Sequence, residues 1–233
     1  MRAFRLFVCL LRWDVLREMR RRETVLNMIL FALLVLYVAH LGVGPDRATV
    51  DALGPIAFWM AVLFAGTVGL SQTFAAEREG NALGGIVTAP VDLGVFYLAK
   101  VAAAWLYVMI MEVFTLGAYS VLFNFSPLDG WWGILIVLGL FTLAYVALGV
   151  VLAAMTTTLR GGGEVLLRIL LIPLMIPLIV LTLEVTPTVF GVTIANGALG
   201  PPLGLGKYLA VAASIDIMYL IAGYLVFPKV IEE

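Results

Sequence analysis

The chain has 233 residues, of which 63% are hydrophobic and 12% are charged. A soluble globular domain carries about a quarter charged residues, so this composition excludes one and indicates a protein whose main solvent is lipid. The formal net charge of −1 hides an uneven distribution, because half of the 14 Lys and Arg residues stand in the first 22 positions. We expect no nucleic-acid partner.

The N-terminal segment, residues 1–24, is predicted to be an amphipathic helix that lies in the membrane interface. Its arginines alternate with apolar residues, and Phe4, Phe7, Leu11 and Val15 recur at helical spacing with Arg on the other side. Such a helix places its basic face toward the anionic head groups of membrane lipids. A cleavable signal peptide is not expected, because no small-residue cleavage site follows a short apolar run.

Six apolar stretches are each long enough to cross a hydrocarbon core of about 30 Å. Bounded by Gly, Pro or charge, they cover about 25–44, 54–75, 95–123, 131–155, 165–185 and 205–227. The predicted fold class is therefore all-α: a polytopic membrane protein with six transmembrane helices behind an interfacial helix. Residues 1–233 are expected to form one transmembrane domain, with the six-helix membrane part at 25–227.

An even number of spans puts both termini on one side. The cations outside the N-terminal segment fall mostly beside the same connections: Arg78, Lys100, Arg160, Arg168 and Lys229, against only Arg47 and Lys207 opposite. By the positive-inside rule, we expect a multi-pass membrane protein with both termini in the cytoplasm.

Three stretches depart from simple perpendicular helices. The third span is so long that it should tilt or project into the cytoplasm near Lys100. Pro173 and Pro177 should kink the fifth span, because each removes a backbone donor. The segment 186–204 is apolar but rich in Gly and Pro, so we expect irregular backbone packed at the outer interface.

The second connection is the longest polar one on the cytoplasmic side. A charge cluster is followed by a turn and a short apolar patch, which is the pattern of an interfacial helix that docks a soluble partner: Glu77, Arg78, Glu79, Gly80, Ile86, Val87 and Pro90. A solvated loop explains the charges equally well. The fourth connection holds Arg160, Gly161, Gly162 and Glu164, which predict a flexible turn with flanking positive charge.

Three carboxylates fall within predicted spans: Glu112, Glu184 and Asp216. Charged groups in lipid are costly and should face protein or water. Glu184 and Asp216 are interpreted as interhelical hydrogen-bonding groups near the interface. For Glu112 a functional relay and a structural role are equally supported.

Cys9 and His40 are the only residues of their kinds. One histidine without a second ligand is a weak metal or haem site, so we expect no directly bound cofactor and no metal, and interpret His40 as an interfacial polar residue at the outer end of the first span. Four tryptophans are likewise interpreted as an interfacial belt: Trp59, Trp105, Trp131 and Trp132.

Two cytoplasmic regions carry a family resemblance. The turn Arg160-Gly161-Gly162 precedes Leu-Leu and a span with two prolines four apart, and the Glu77–Lys100 region contains Pro90 and ends in Tyr-Leu-Ala-Lys. Together with length and span order, these features resemble the CcmB family, membrane subunits of the ABC-type haem exporter system of bacterial cytochrome c maturation. Glu164, beside the turn, departs from the family pattern.

The resemblance implies a permease related to type-2 ABC exporters, with the second connection as its coupling element. Its partners would be a cytoplasmic ATPase, other cytochrome c maturation membrane subunits and a second copy of itself. No phosphate-binding loop is present, since Gly206-Lys207-Tyr208 lacks both the first glycine and the hydroxyl of that motif. We therefore expect no enzyme: ATP and magnesium belong to the partner, and the complex handles haem.

The complex would either export haem or release a haem-loaded chaperone on the outer side. Two other functions stay open on the residues alone. One is a type-2 ABC permease for a lipid, polysaccharide or drug, and the other is a non-transporting membrane scaffold. A scaffold predicts that charge reversal at Glu77 or Glu79 leaves function intact.

Overall fold

Helices account for the secondary structure of the computed structural model, which describes residues 2–44, 46–74, 92–126, 131–157, 163–190 and 204–232. They are α1 (Arg2–Arg21), α2 (Glu23–Val43), α3 (Arg47–Gln72), α4 (Leu93–Leu122), α5 (Trp131–Thr157), α6 (Gly163–Phe190) and α7 (Leu205–Glu232). Six of them, α2 to α7, are long and apolar enough to cross a membrane. The prediction of an all-α protein with six spans behind an N-terminal helix is confirmed.

The second span begins earlier than predicted. α3 starts at Arg47 because Asp46 caps it, accepting a hydrogen bond from the backbone N–H of Thr49 at 3.0 Å. The Thr49 hydroxyl also donates to Asp46 at 2.7 Å, and these hydrogen bonds hold the pKa of Asp46 below its usual value. Pro55 lies inside the helix without ending it.

The fifth span is longer than predicted, since α6 runs to Phe190. The prediction of irregular backbone from residue 186 is therefore wrong for residues 186–190, and 191–203 lie outside the described residues. Buried Val185 and Phe190 pack this end of α6 into the core, which outweighs the helix-breaking tendency of Pro187.

The centre of the bundle is formed by α3, α4 and α5, while α2 and α7 lie at its periphery. α5 is hydrophobic on all sides, as expected of a helix surrounded by others. Three aromatic side chains donate hydrogen bonds to carbonyl oxygens inside α5: Tyr97 to Ala147 at 2.9 Å, Trp105 to Gly139 at 3.0 Å and Tyr208 to Val137 at 3.3 Å. These bonds tie α4 and α7 to α5.

Glycines let α4 and α7 approach each other closely. A Cβ on Gly223 of α7 would lie 2.1 Å from the Tyr97 hydroxyl of α4. The reverse contact also occurs, because a Cβ on Gly94 of α4 would lie 2.3 Å from the Tyr224 ring of α7. Each helix thus accommodates a tyrosine of the other where only a hydrogen is present.

The N-terminal helix is a separate element that turns onto the bundle. Arg22 lies between α1 and α2 with a left-handed backbone, φ 55°, and α1 packs against α4 and α2. Of the predicted apolar face, Phe7, Leu11 and Val15 are half-buried and Phe4 is largely exposed, so none of the four is fully buried. The most buried side chain of α1 is instead Asp14.

Candidate functional site

The predicted coupling residues lie outside the described residues, in the 75–91 connection between α3 and α4: Glu77, Arg78, Glu79, Gly80, Ile86, Val87 and Pro90. The same holds for Arg160, Gly161 and Gly162 of the fourth connection. Glu164 falls in the first turn of α6, but its side chain lies outside the described part. What the structure describes is how both ends of the 75–91 connection are held.

A buried ion pair anchors the helix that follows this connection. Lys100 of α4 places its ammonium 3.1 Å from the Asp14 carboxylate of α1, with the two side chains only 2% and 6% exposed. Arg17 contacts the same carboxylate at 3.4 Å. Removing one partner from a buried pair is strongly destabilising, so this pair fixes α1 against α4.

Aromatic side chains surround the pair and join the two ends of the connection. The Lys100 ammonium lies 5.6 Å from the centroid of the Phe74 ring and 5.5 Å from that of Phe96, within reach of cation–π attraction. Phe227 of α7 packs against Phe74 and Phe96, with centroids 6.1 Å apart in each case. Tyr97 lies 5.3 Å from Phe227.

We call these six buried residues the connection cluster: Asp14, Phe74, Phe96, Tyr97, Lys100 and Phe227. They come from α1, from α4, from α7 and from the residue just beyond the end of α3. Asp92 completes the arrangement by capping α4, with its carboxylate accepting from the N–H of Gly94 at 2.9 Å. The 75–91 connection therefore begins and ends on one packed unit.

The intramembrane carboxylates occupy different environments. Glu112 is fully buried and accepts a hydrogen bond from Thr142 of α5 at 2.5 Å. Asp216 is 3% exposed and lies 11 residues after the first residue of α7 (Leu205–Glu232). Its position follows from α7 packing along α5. Glu184 is half-buried toward the Phe190 end of α6.

Two of the four tryptophans are not interfacial, which corrects the interpretation of a belt. Trp59 is 2% exposed and donates to the Thr186 hydroxyl at 2.9 Å, and Trp105 donates to a carbonyl inside α5. Both indole N–H groups find acceptors on neighbouring helices, which a buried tryptophan requires. Trp131 and Trp132 are exposed and stack on each other at 3.8 Å.

His40 contacts Phe123 edge-on, with ring centroids 5.2 Å apart. Within the described ranges, no group of three or more His, Cys, Asp or Glu side chains could hold a metal ion. The described part of the chain therefore offers packed helices and a mechanical anchor rather than a ligand set.

Sequence analysis missed the pairing of Asp14 with Lys100, although both residues carry a signal. Asp14 is an acid within an otherwise basic segment, and Lys100 lies eight positions into an apolar helix. Tyr97 and Lys100, noted as part of one motif, both turn out to be buried members of the connection cluster. A charge so placed in an apolar helix needs a partner, but its identity depends on how α1 folds back.

Comparison with known proteins gives a consistent match. A family model described as CcmB protein matches residues 5–218. Heme exporter protein B of Pseudomonas aeruginosa is 32% identical over 162 residues, covering 70% of this chain and 72% of that protein. The protein of the same name from Haemophilus influenzae is 28% identical, covering 75% and 78%. That from Paracoccus denitrificans is 30% identical, covering 73% and 84%.

Proposed function

Since this chain belongs to the CcmB family, we propose that it is the membrane permease subunit of an ABC transporter complex for cytochrome c maturation in the bacterial inner membrane. Relatives that cover most of its length bear the name heme exporter protein B. A separate cytoplasmic ATPase binds ATP and magnesium and hydrolyses the nucleotide. The complex uses that energy to export haem or to release a haem-loaded chaperone.

The orientation that this function requires places both termini and the 75–91 connection in the cytoplasm. The concentration of Arg in the N-terminal segment supports it, together with the even number of spans. In this orientation the chain forms one permease domain, with α1 lying in the cytoplasmic interface. The exposed Arg5, Arg12 and Trp13 of α1 suit contact with head groups.

The observation that carries the coupling proposal is the connection cluster. A partner ATPase that docks on Glu77 to Pro90 pushes on a segment whose two ends meet in one packed unit. Because Phe74 lies against both Lys100 of α4 and Phe227 of α7, displacement of the connection moves α3, α4 and α7 together. The ion pair of Lys100 with Asp14 extends that movement to α1.

The experiment is purification of the native complex from its membrane, identification of what stays bound, and measurement of ATPase activity for wild type and Glu77→Lys. Glu23→Lys is the matched control, because Glu23 is an exposed acid at the same end of the bundle. We expect a cytoplasmic ATPase and haem-handling subunits to copurify. Glu77→Lys should weaken both that association and the ATPase activity, while Glu23→Lys leaves both near wild type.

A chain that purifies without an ATPase, with cytochrome c maturation indifferent to Glu77→Lys, would instead identify a scaffold. Copurification of an ATPase without haem-handling subunits, in cells whose cytochrome c maturation is normal without this chain, would identify a permease for another substrate. Both results contradict the proposal.

A further inference from the structure

Two carboxyl groups lie inside the bundle, far from either membrane surface. Glu112 is about 15 Å from the Leu122 end of α4 and Asp216 about 16 Å from the Leu205 end of α7, at 1.5 Å per residue. Exposure is 0% for Glu112 and 3% for Asp216. In a helix whose end lies at the surface of a hydrocarbon core about 30 Å thick, a group at this distance from that end lies near the middle of the core.

Most of the oxygen atoms of these carboxyls lack hydrogen-bond partners. Thr142 donates to Oε1 of Glu112 at 2.5 Å, but Oε2 of Glu112 and both oxygens of Asp216 are buried without a partner in the described part of the chain. A carboxylate is an acceptor only, so three buried acceptor atoms without donors are a severe defect if the groups are ionised.

The donors nearby are directed elsewhere. Two buried phenols stand on the helices that hold Thr142 and Asp216: Tyr145 on α5 and Tyr208 on α7. Tyr145 donates to the carbonyl of Leu63 at 3.0 Å and Tyr208 to that of Val137 at 3.3 Å. Asp216 also faces the backbone amide of Ala144, but inside a continuous helix that N–H is used by the helical ladder.

Counter-charges are also distant within the described ranges. Lys100 is more than two helical turns from Glu112 and is paired with Asp14, while Lys207 stands in the first turn of α7, two turns from Asp216. An isolated ionised carboxylate in a medium of low dielectric is so costly that such groups become neutral instead. The geometry therefore favours the protonated form of both acids.

We propose that Glu112 and Asp216 are proton-binding groups inside the bundle. Each carboxyl carries a proton while α4, α5 and α7 are packed together, and separation of these helices admits water. The carboxyl O–H bond then breaks and the proton passes to water. The conformational cycle of this membrane domain is thereby linked to proton release and uptake, beyond its coupling to ATP.

The test is infrared spectroscopy of the full-length protein in lipid nanodiscs at neutral pH, in H₂O and D₂O. We expect a carbonyl band of protonated carboxyl groups, shifted in D₂O. Glu112→Gln and Asp216→Asn should each remove one component of the band, and the double variant should abolish it. Glu23→Gln is the control, because Glu23 is exposed at the start of α2 and lies outside the interior of the bundle, so its replacement should leave the band unchanged.

Amide replacements resemble neutral carboxyl groups in shape, so both variants should fold and retain a melting temperature close to that of wild type. Raising the pH should lower the melting temperature of wild type, because ionisation favours the opened state, and the double variant should lose that dependence. A wild-type spectrum without a protonated carboxyl band overturns the proposal. So does a rise in melting temperature with Na⁺ or Ca²⁺ that Asp216→Asn abolishes, which would identify a cation site.

Discussion

Lys100 is buried in the bundle. Lysines near helix ends commonly extend their ammonium group to the membrane surface instead. The Lys100 ammonium is held by Asp14 and lies over the rings of Phe74 and Phe96. Positive charge near this end of the span could be predicted from the positive-inside pattern. The partner could not, because Asp14 is 86 positions away and comes into reach only when α1 turns back at Arg22.

Replacing Lys100 with Met should lower the free energy of unfolding by about 3 kcal/mol, the lower end of the range for a broken buried pair, because Arg17 still contacts Asp14. Denaturation with SDS from mixed micelles measures this loss. The double variant Asp14→Asn/Lys100→Met should recover part of it, since no charge is then left buried.

Arg47→Met is the matched control, because the Arg47–Asp51 pair is also a close contact at 3.4 Å but the Arg47 side chain is 66% exposed. An exposed pair contributes about 0.5 kcal/mol. If Lys100→Met is as mild as Arg47→Met, the buried pair does not anchor α1.

Among the elements, α4 contributes residues both to the connection cluster and to the buried carboxyl groups. It begins directly after the 75–91 connection, holds Tyr97 and Lys100 near that end, and contains the fully buried Glu112. The existence and approximate length of α4 could be predicted from its apolar run. The face of α4 that meets α1, α5 or α7 could not be predicted, because this helix is apolar on nearly all sides and has no apolar stripe to orient it.

The contact of α4 with α7 gives a prediction about glycine. Gly223→Ala should destabilise the protein by about 1 to 3 kcal/mol, because the added methyl group would overlap the buried Tyr97 side chain. Gly117→Ala, in the open groove between α2 and α4, should instead be neutral or stabilising by up to about 1 kcal/mol from helix propensity. Melting temperatures in detergent compare the two, and equal effects would contradict the close packing of α4 and α7.

For the molecule as a whole, Cys9 provides a native test of orientation. It is the only cysteine in the chain, and it is exposed on α1. A membrane-impermeant maleimide should label Cys9 in inverted inner-membrane vesicles and not in intact spheroplasts, because we place α1 in the cytoplasmic interface.

Cys9→Ser/Trp132→Cys is the control, because exposed Trp132 stands at the start of α5, which the topology places on the opposite side. Its labelling should show the reverse pattern. Labelling of Cys9 in spheroplasts would invert the proposed topology and remove the 75–91 connection from the reach of a cytoplasmic ATPase.

A bundle of six membrane-spanning helices behind a basic N-terminal helix could be predicted from the amino-acid sequence alone. Long apolar runs admit no other structure, since every backbone polar group in lipid must be satisfied within its own helix. The sequence also indicated the protein family, through the resemblance of two short regions between spans.

Which polar groups meet could be learned only from the folded bundle. Trp59 and Trp105 are interhelical hydrogen-bond donors, and Asp14 is the partner of Lys100. Asp216, which was expected near the interface, is buried in the interior of the bundle. The physical reason is that lipid and protein interior are equally apolar. A sequence of membrane helices therefore states clearly where each helix crosses, but not which of its faces packs against a neighbour.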